Sequence, residues 1–261
     1  MRRYYGDDPN QFGELRLPDR AGPSPVLVLV HGGFWRARYG LELMDDMAEY
    51  FRSRGYVTWN LEYRRVGQPG GGWPGTVQDV SRGLDHLSRI ADEVALDLGR
   101  VGIIGHSAGG HLALLQAKKA RDGMSLALSG QGSGSDTATI VPTAVIALAA
   151  VSDLVQMHAS RLDDSPVAAF LGGAPEDAPD ACQLASPIDC LPLGVRQLLV
   201  HGTADANVPY GQSSLYAKAA DAAGDPVELL TLDGVDHFAI IEPGSAIWED
   251  IVRAVERLIP V

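Results

Sequence analysis

The chain has 261 residues, 46% of them hydrophobic, and carries 33 acidic against 21 basic side chains for a formal charge of −12. This is the composition of a soluble globular protein able to bury a sizeable core, which excludes disordered, fibrous and repeat-stalk classes. A net-acid field repels phosphate backbones and anionic lipid, so no nucleic acid partner is expected. The longest wholly apolar run, Ala144–Val151, has eight residues, against the roughly 20 that a bilayer crossing needs, so no membrane span is expected.

Two arginines follow Met1 with no apolar segment behind them, which reads as a cytoplasmic protein without a secretory signal. Cys182 and Cys190 are too few for a disulfide scaffold or a zinc site and read as free thiols.

Glu14-Leu15-Arg16-Leu17 alternates polar with apolar and predicts an antiparallel edge strand. Val26–Val30, entered through prolines and left through His31-Gly32-Gly33, predicts a buried strand. From Leu41 to Arg54 apolar residues recur at helical spacing until Gly55 stops them, and Tyr56–Leu61 is the next strand. A second helical pattern runs from about Thr76 to Ala91, followed by a short strand over Val101–Ile104. Gly105–Gly110 breaks that strand, and a helix continues to about Arg121. Val145–Val151, Leu198–Val200 and Val227–Leu232 add strands; Gly211–Ala222 and Ser245–Leu258 add helices.

Continuous apolar strands alternating with amphipathic helices predict a doubly wound, mostly parallel α/β sheet in one domain over residues 1–261. The stretch from Ser152 to Gly194, with Asp and Pro clusters and both cysteines, breaks the alternation and predicts a small lid-like insertion over one end of the sheet.

The most specific motif is Gly105-His106-Ser107-Ala108-Gly109, a G-x-S-x-G between a buried strand and a helix. A tight strand-to-helix turn exposes the serine oxygen, the glycines admit close backbone approach, and the helix N-terminus favours a developing anion. A serine hydroxyl is a poor nucleophile at neutral pH and needs a histidine base with an acid to orient it. Asp205 follows the strand ending at Val200, and His237 follows the strand ending at Leu232, in the chain order Ser, Asp, His. Asp153, after the strand ending at Val151, and Asp236, beside the histidine, are competing acids. The other histidines, His31, His86, His106, His111, His158 and His201, lack ligand spacing, so no metal is expected.

With these three residues, the His31-Gly32-Gly33-Phe34-Trp35 segment and the elbow running on through Gly110-His111-Leu112-Ala113, the chain resembles an α/β-hydrolase. The resemblance is to the esterase and arylformamidase branch and spans about Val26 to Leu258. It implies an oxyanion hole of the Gly33, Phe34 and Ala108 N–H groups, and it favours Asp205 because H-G-x-x-D-x-x-V-P matches residue by residue. It further implies cleavage of small carboxylic esters through an acyl-enzyme, with no cofactor. An arylformamidase is the alternative reaction, and a catalytically silent binding fold is the alternative class. Trp35 and Trp73, on loops near the site, are the candidate substrate-lining aromatics.

Overall fold

The computed structural model describes residues 1–122, 138–160 and 165–261. Its strands are β1 (Arg2–Tyr4), β2 (Phe12–Arg16), β3 (Ser24–Val30), β4 (Val57–Leu61), β5 (Leu96–His106), β6 (Ala144–Leu148), β7 (Arg196–Gly202) and β8 (Val227–Leu232). They form one sheet in the order β1-β2-β4-β3-β5-β6-β7-β8. All neighbours from β4 to β8 are parallel, and β1 and β2 extend the β4 side as an antiparallel pair.

Helical crossovers cover both faces of a parallel sheet, and alternate residues of each strand point to opposite faces. On β3, Val26, Val28 and Val30 enter one core with Val77, Val80 and Leu84 of α2 (Gly75–Asp85) and Leu112 and Leu115 of α4 (Ala108–Asp122). Leu27 and Leu29 enter the other with Met47 and Phe51 of α1 (Asp45–Ser53) and Ile251, Val252 and Val255 of the last helix, α9 (Trp248–Leu258). Each such side chain contributes roughly 1.5–3 kcal/mol when fully buried, which holds β3 between two helical layers. Gly55, at φ +100°, reverses the chain after α1 and sends it into β4, a conformation that carries little steric penalty only in glycine.

Several boundaries differ from the periodicity. The alternating strand near Glu14 is antiparallel but is not the edge, because β1 pairs outside it. The helical stretch after Thr76 divides at His86 into α2 and α3 (Leu87–Ile90). β5 begins at Leu96, and a register shift between Pro25 and Val26 lets it pair along the whole of β3. β6 stops at Leu148, where Ala149 turns out of the sheet at φ +47°. The last helix starts at Trp248, with Ser245 contributing only a turn through its carbonyl to the Trp248 N–H.

After β6 the chain forms α5 (Leu154–Ala159), α6 (Pro166–Leu171), α7 (Pro179–Ala185) and a 3-10 turn (Pro187–Cys190); residues 161–164 of this expected insertion lie outside the described residues. It is stitched to the body by Trp73 N–H to Phe170 O (2.8 Å), His111 Nε2 to Ala185 O (2.7 Å) and Ile188 N–H to Ser152 O (2.9 Å). Cys182 and Cys190 lie here, both buried and unbridged. α8 (Gly211–Ala222) returns the chain from β7 to β8. Because the core strands run parallel, the segments after β3, β5, β7 and β8 all leave from the same end of the sheet.

Candidate active site

The elbow after β5 is set by close packing. A Cβ on Gly109 would strike the carbonyl oxygens of Val30 and His31, and one on Gly105 would strike the carbonyl of Gly109, so only glycine lets α4 start this close to β3 and β5. Between them Ser107 sits at φ +57°, a left-handed conformation that costs a non-glycine residue roughly 1–2 kcal/mol. Offsetting bonds hold it there: Ser107 N–H donates to Leu148 O (2.8 Å), and Ser107 O accepts from His111 N–H (3.2 Å) and Val151 N–H (3.4 Å).

The loop after β3 reaches the same point. A Cβ on Gly32 would lie 3.0 Å from the Ser107 Cβ and 2.8 Å from the His106 carbonyl oxygen, so this loop and the elbow touch. Gly33, Phe34 and Trp35 follow at φ +106°, +52° and +57°, three consecutive left-handed residues that turn the loop sharply away from the sheet. Among the described residues, the N–H groups of Gly33 and Ala108 have no acceptor.

An ion network that the sequence did not reveal anchors this loop from below. His31 Nε2 lies 3.0 Å from Glu62 Oε1, Arg65 lies 3.0 Å from the same oxygen, and the His31 and Tyr63 rings stack at 4.3 Å. Tyr63 Oη also donates to His31 O (2.7 Å) and Leu41 N–H to Glu62 Oε2 (3.2 Å). Burial pushes the Glu62 carboxyl up, but His31, Arg65 and the Tyr63 N–H outweigh it and hold the group below its ordinary 4.5.

On the loop after β7, Asp205 Oδ2 meets His237 Nδ1 at 2.6 Å, while Oδ1 accepts the Asn207 and Val208 N–H groups at 2.8 Å each. His201 Nε2 lies 3.3 Å from Oδ2 and donates to Val208 O at 3.0 Å. Burial pushes the Asp205 carboxyl up; His201, His237 and the Val208 N–H pull it down and prevail, so it stays ionised well below the usual carboxylate range. Since a carboxylate only accepts, Nδ1 of His237 carries the proton and Nε2 is left as the basic nitrogen.

The competing acids are committed elsewhere. Asp153 caps α5, accepting the Gln156 N–H at 2.9 Å, and Asp236 accepts the Phe238 and Ala239 N–H groups at 2.9 Å each. Of the proposed substrate-lining aromatics, Trp35 is displaced from that role: it is 0% exposed, stacked on Phe170 at 4.5 Å and edge-on to His111 at 5.1 Å. Its position after two left-handed residues turns the ring into the core. Trp73 is half-buried and meets Phe170 edge-on at 6.4 Å. Phe238, passed over in the sequence, is 50% exposed with its ring 5.2 Å from that of His237; its place directly after the histidine was the available signal.

His106 and His111 flank the elbow as buried, uncharged imidazoles: burial pushes His106 down to about 3, aided by the nearby His237, and His111 down to about 4. Among the described residues, no cluster of three or more His, Cys, Asp or Glu is arranged for a metal, and no helix is long and apolar enough to cross a membrane.

The parallel core, the strand-to-helix elbow and the acid and histidine on the following strand ends define an α/β-hydrolase fold. A propionate-bound esterase from Thermogutta terrifontis superposes with a TM-score of 0.79 at 21% identity, covering 98% of this chain and 92% of that one. The BD-FAE family model matches residues 14–219, and the chain belongs to that family. Among curated relatives, esterase LipC of Mycobacterium tuberculosis (strain ATCC 25618 / H37Rv) is 28% identical over 90% of this chain and 59% of its own length. A probable isoprenylcysteine alpha-carbonyl methylesterase of Oryza sativa subsp. japonica is 28% identical over 89% of this chain and 56% of its own. The chain thus spans less than two thirds of either relative.

Proposed function

We propose that this protein is a serine carboxylesterase that cleaves small esters through an acyl-enzyme. The observation that carries the reading is the 2.6 Å Asp205–His237 pair placed beside a serine elbow whose oxyanion loop touches the nucleophile. Ser107 Oγ attacks the ester carbonyl carbon as His237 Nε2 takes its proton. The N–H groups of Gly33, Phe34 and Ala108 receive the oxyanion, a contribution of a few kcal/mol per donor. Collapse breaks the bond to the alcohol, which leaves with the proton from His237. Water then enters, loses a proton to His237 and releases the acid. The esterase names of the relatives support the same reading. We read residues 152–194 as a cap on the carboxyl end of the sheet, and the two free thiols fit a reducing, cytoplasmic setting.

The test compares kcat/KM for p-nitrophenyl acetate, p-nitrophenyl butyrate and N-formylkynurenine, with Ser107→Ala as control. Esters are expected to win, and Ser107→Ala to lose roughly 10⁴-fold or more in kcat. A formamide favoured by a hundredfold or more, about 2.7 kcal/mol, would replace the esterase reading with an arylformamidase. Turnover undiminished in Ser107→Ala would remove the triad altogether. Failure of the wild type to react with an organophosphate would point to a silent binding fold.

A further inference from the structure

We infer that His106 is a positioning residue for hydrolysis: its ring bridges the oxyanion loop and the loop of the base, fixing His237 relative to Ser107. The inference rests on the serine-esterase reading above.

His106 Nε2 lies 2.9 Å from the main-chain oxygen of His237. A carbonyl only accepts, so Nε2 carries the proton and donates it, which fixes the tautomer without further assumption. The opposite nitrogen, Nδ1, is buried and has no hydrogen-bond partner among the described residues. It faces Gly32, where a Cβ would lie 3.2 Å away. One flat ring therefore lies between Gly32 of the oxyanion loop and the backbone of the base, and it belongs to the residue directly before the nucleophile. The two imidazoles lie 4.5 Å apart.

Two anchors then define where the basic nitrogen points. Asp205 holds the far side of the His237 ring through Nδ1, and His106 holds its main chain through the carbonyl. With Asp205 alone, the ring could rock about that one bond. Misplacement by about 1 Å costs on the order of 100-fold in rate. A neutral ring also suits the place. His237 becomes an imidazolium as it takes the serine proton, and a lysine or arginine at position 106 would repel that charge inside a site where His106 is 2% exposed.

The test measures kcat and KM for p-nitrophenyl acetate in His106→Phe and His106→Gln, normalised to sites titrated with an organophosphate. His106→Phe keeps a ring without the N–H, and is expected to lower kcat about 10- to 100-fold with KM unchanged. His106→Gln reaches the same carbonyl with an amide N–H, and is expected to stay within about threefold of the wild type. The far-downfield proton resonance of the Asp205–His237 bond is expected to survive in His106→Gln and to broaden in His106→Phe. A merely structural role would lower the melting temperature of both variants and leave kcat per titrated site and the resonance intact, which would overturn the inference. If His106→Phe does not fold, His106→Asn, too short to reach the carbonyl, takes its place with the same expectation. Wild-type kcat per site in the donor-less variant also overturns the inference, provided Ser107→Ala is inactive. Turnover in Ser107→Ala would instead bring down the esterase reading itself.

Discussion

At the end of β5 the chain is held by contact, whereas at the ends of β7 and β8 it is held by directed bonds. Gly32, Gly105 and Gly109 each occupy a place where a Cβ would press on neighbouring backbone or on Ser107, and this close packing frames the left-handed Ser107 backbone that its own main-chain bonds hold. Asp205 and His237 are placed by four polar groups converging on one carboxylate and by a histidine bonded to the base's own carbonyl. The base side borrows the steric device at Gly202, whose Cβ would meet the Val235 carbonyl. Steric placement is close to all-or-none and indifferent to pH; hydrogen-bonded placement is graded and titrates.

The contrast is most severely strained by Gly109→Ala. The added methyl has nowhere to go but into the end of β3, so a loss of several kcal/mol of stability is expected, seen as a lower melting temperature by circular dichroism, together with loss of turnover. A folded, fully active Gly109→Ala would break the steric account of the elbow.

Asp205→Asn comes next and should act on the other side in the opposite manner. The fold is expected to remain while kcat falls roughly 10⁴-fold, because an amide no longer fixes the tautomer of His237. Its pH signature has a definite sign. The folded carboxyl lies below its ordinary 3.8, so its contribution to stability is present above that value and is lost as the pH falls through the folded one. Denaturant melts at acid pH should accordingly show a shallower decline in Asp205→Asn than in the wild type.

Glu62→Gln is the mildest. It leaves the glycines of the oxyanion loop untouched but weakens the His31 and Arg65 contacts beneath them. A loss of about 1–3 kcal/mol is expected. Stability should also depend less on pH below about 4.5, since Glu62 too is held down in the folded state and gives up its contribution only on acidification. A kcat changed by less than about threefold would locate this network in stability; a larger fall would show that it sharpens the oxyanion hole.

These interactions differ in how far the sequence exposed them. The position of Ser107, Asp205 and His237 at one end of a parallel sheet was legible because each stands within a few residues of the end of a strand. Val26–Val30 was legible as a buried strand from its unbroken apolar run, and its division between two cores follows from the strand's alternation. Glu62 was not: it follows a strand as any polar residue would, and its meaning lies in His31, 31 positions earlier, reached only through the pairing of β3 with β4. Trp35 misled because a loop aromatic beside a site reads as a wall, while three left-handed residues in succession turn its ring inward. β1 escaped because Arg2-Arg3-Tyr4 has no apolar partner positions to alternate with.

The position of β8 has one more consequence. Among the described residues it is the rim strand, bonded to β7 alone, and only its Leu232 is buried. His237 hangs five residues beyond it, while Ser107 hangs from β5 in the middle of the sheet. Rims open by local fluctuation at free energies far below that of global unfolding. Heat is therefore expected to loosen the loop of His237 before the core that carries Ser107, so activity should fade at a lower temperature than the central sheet melts.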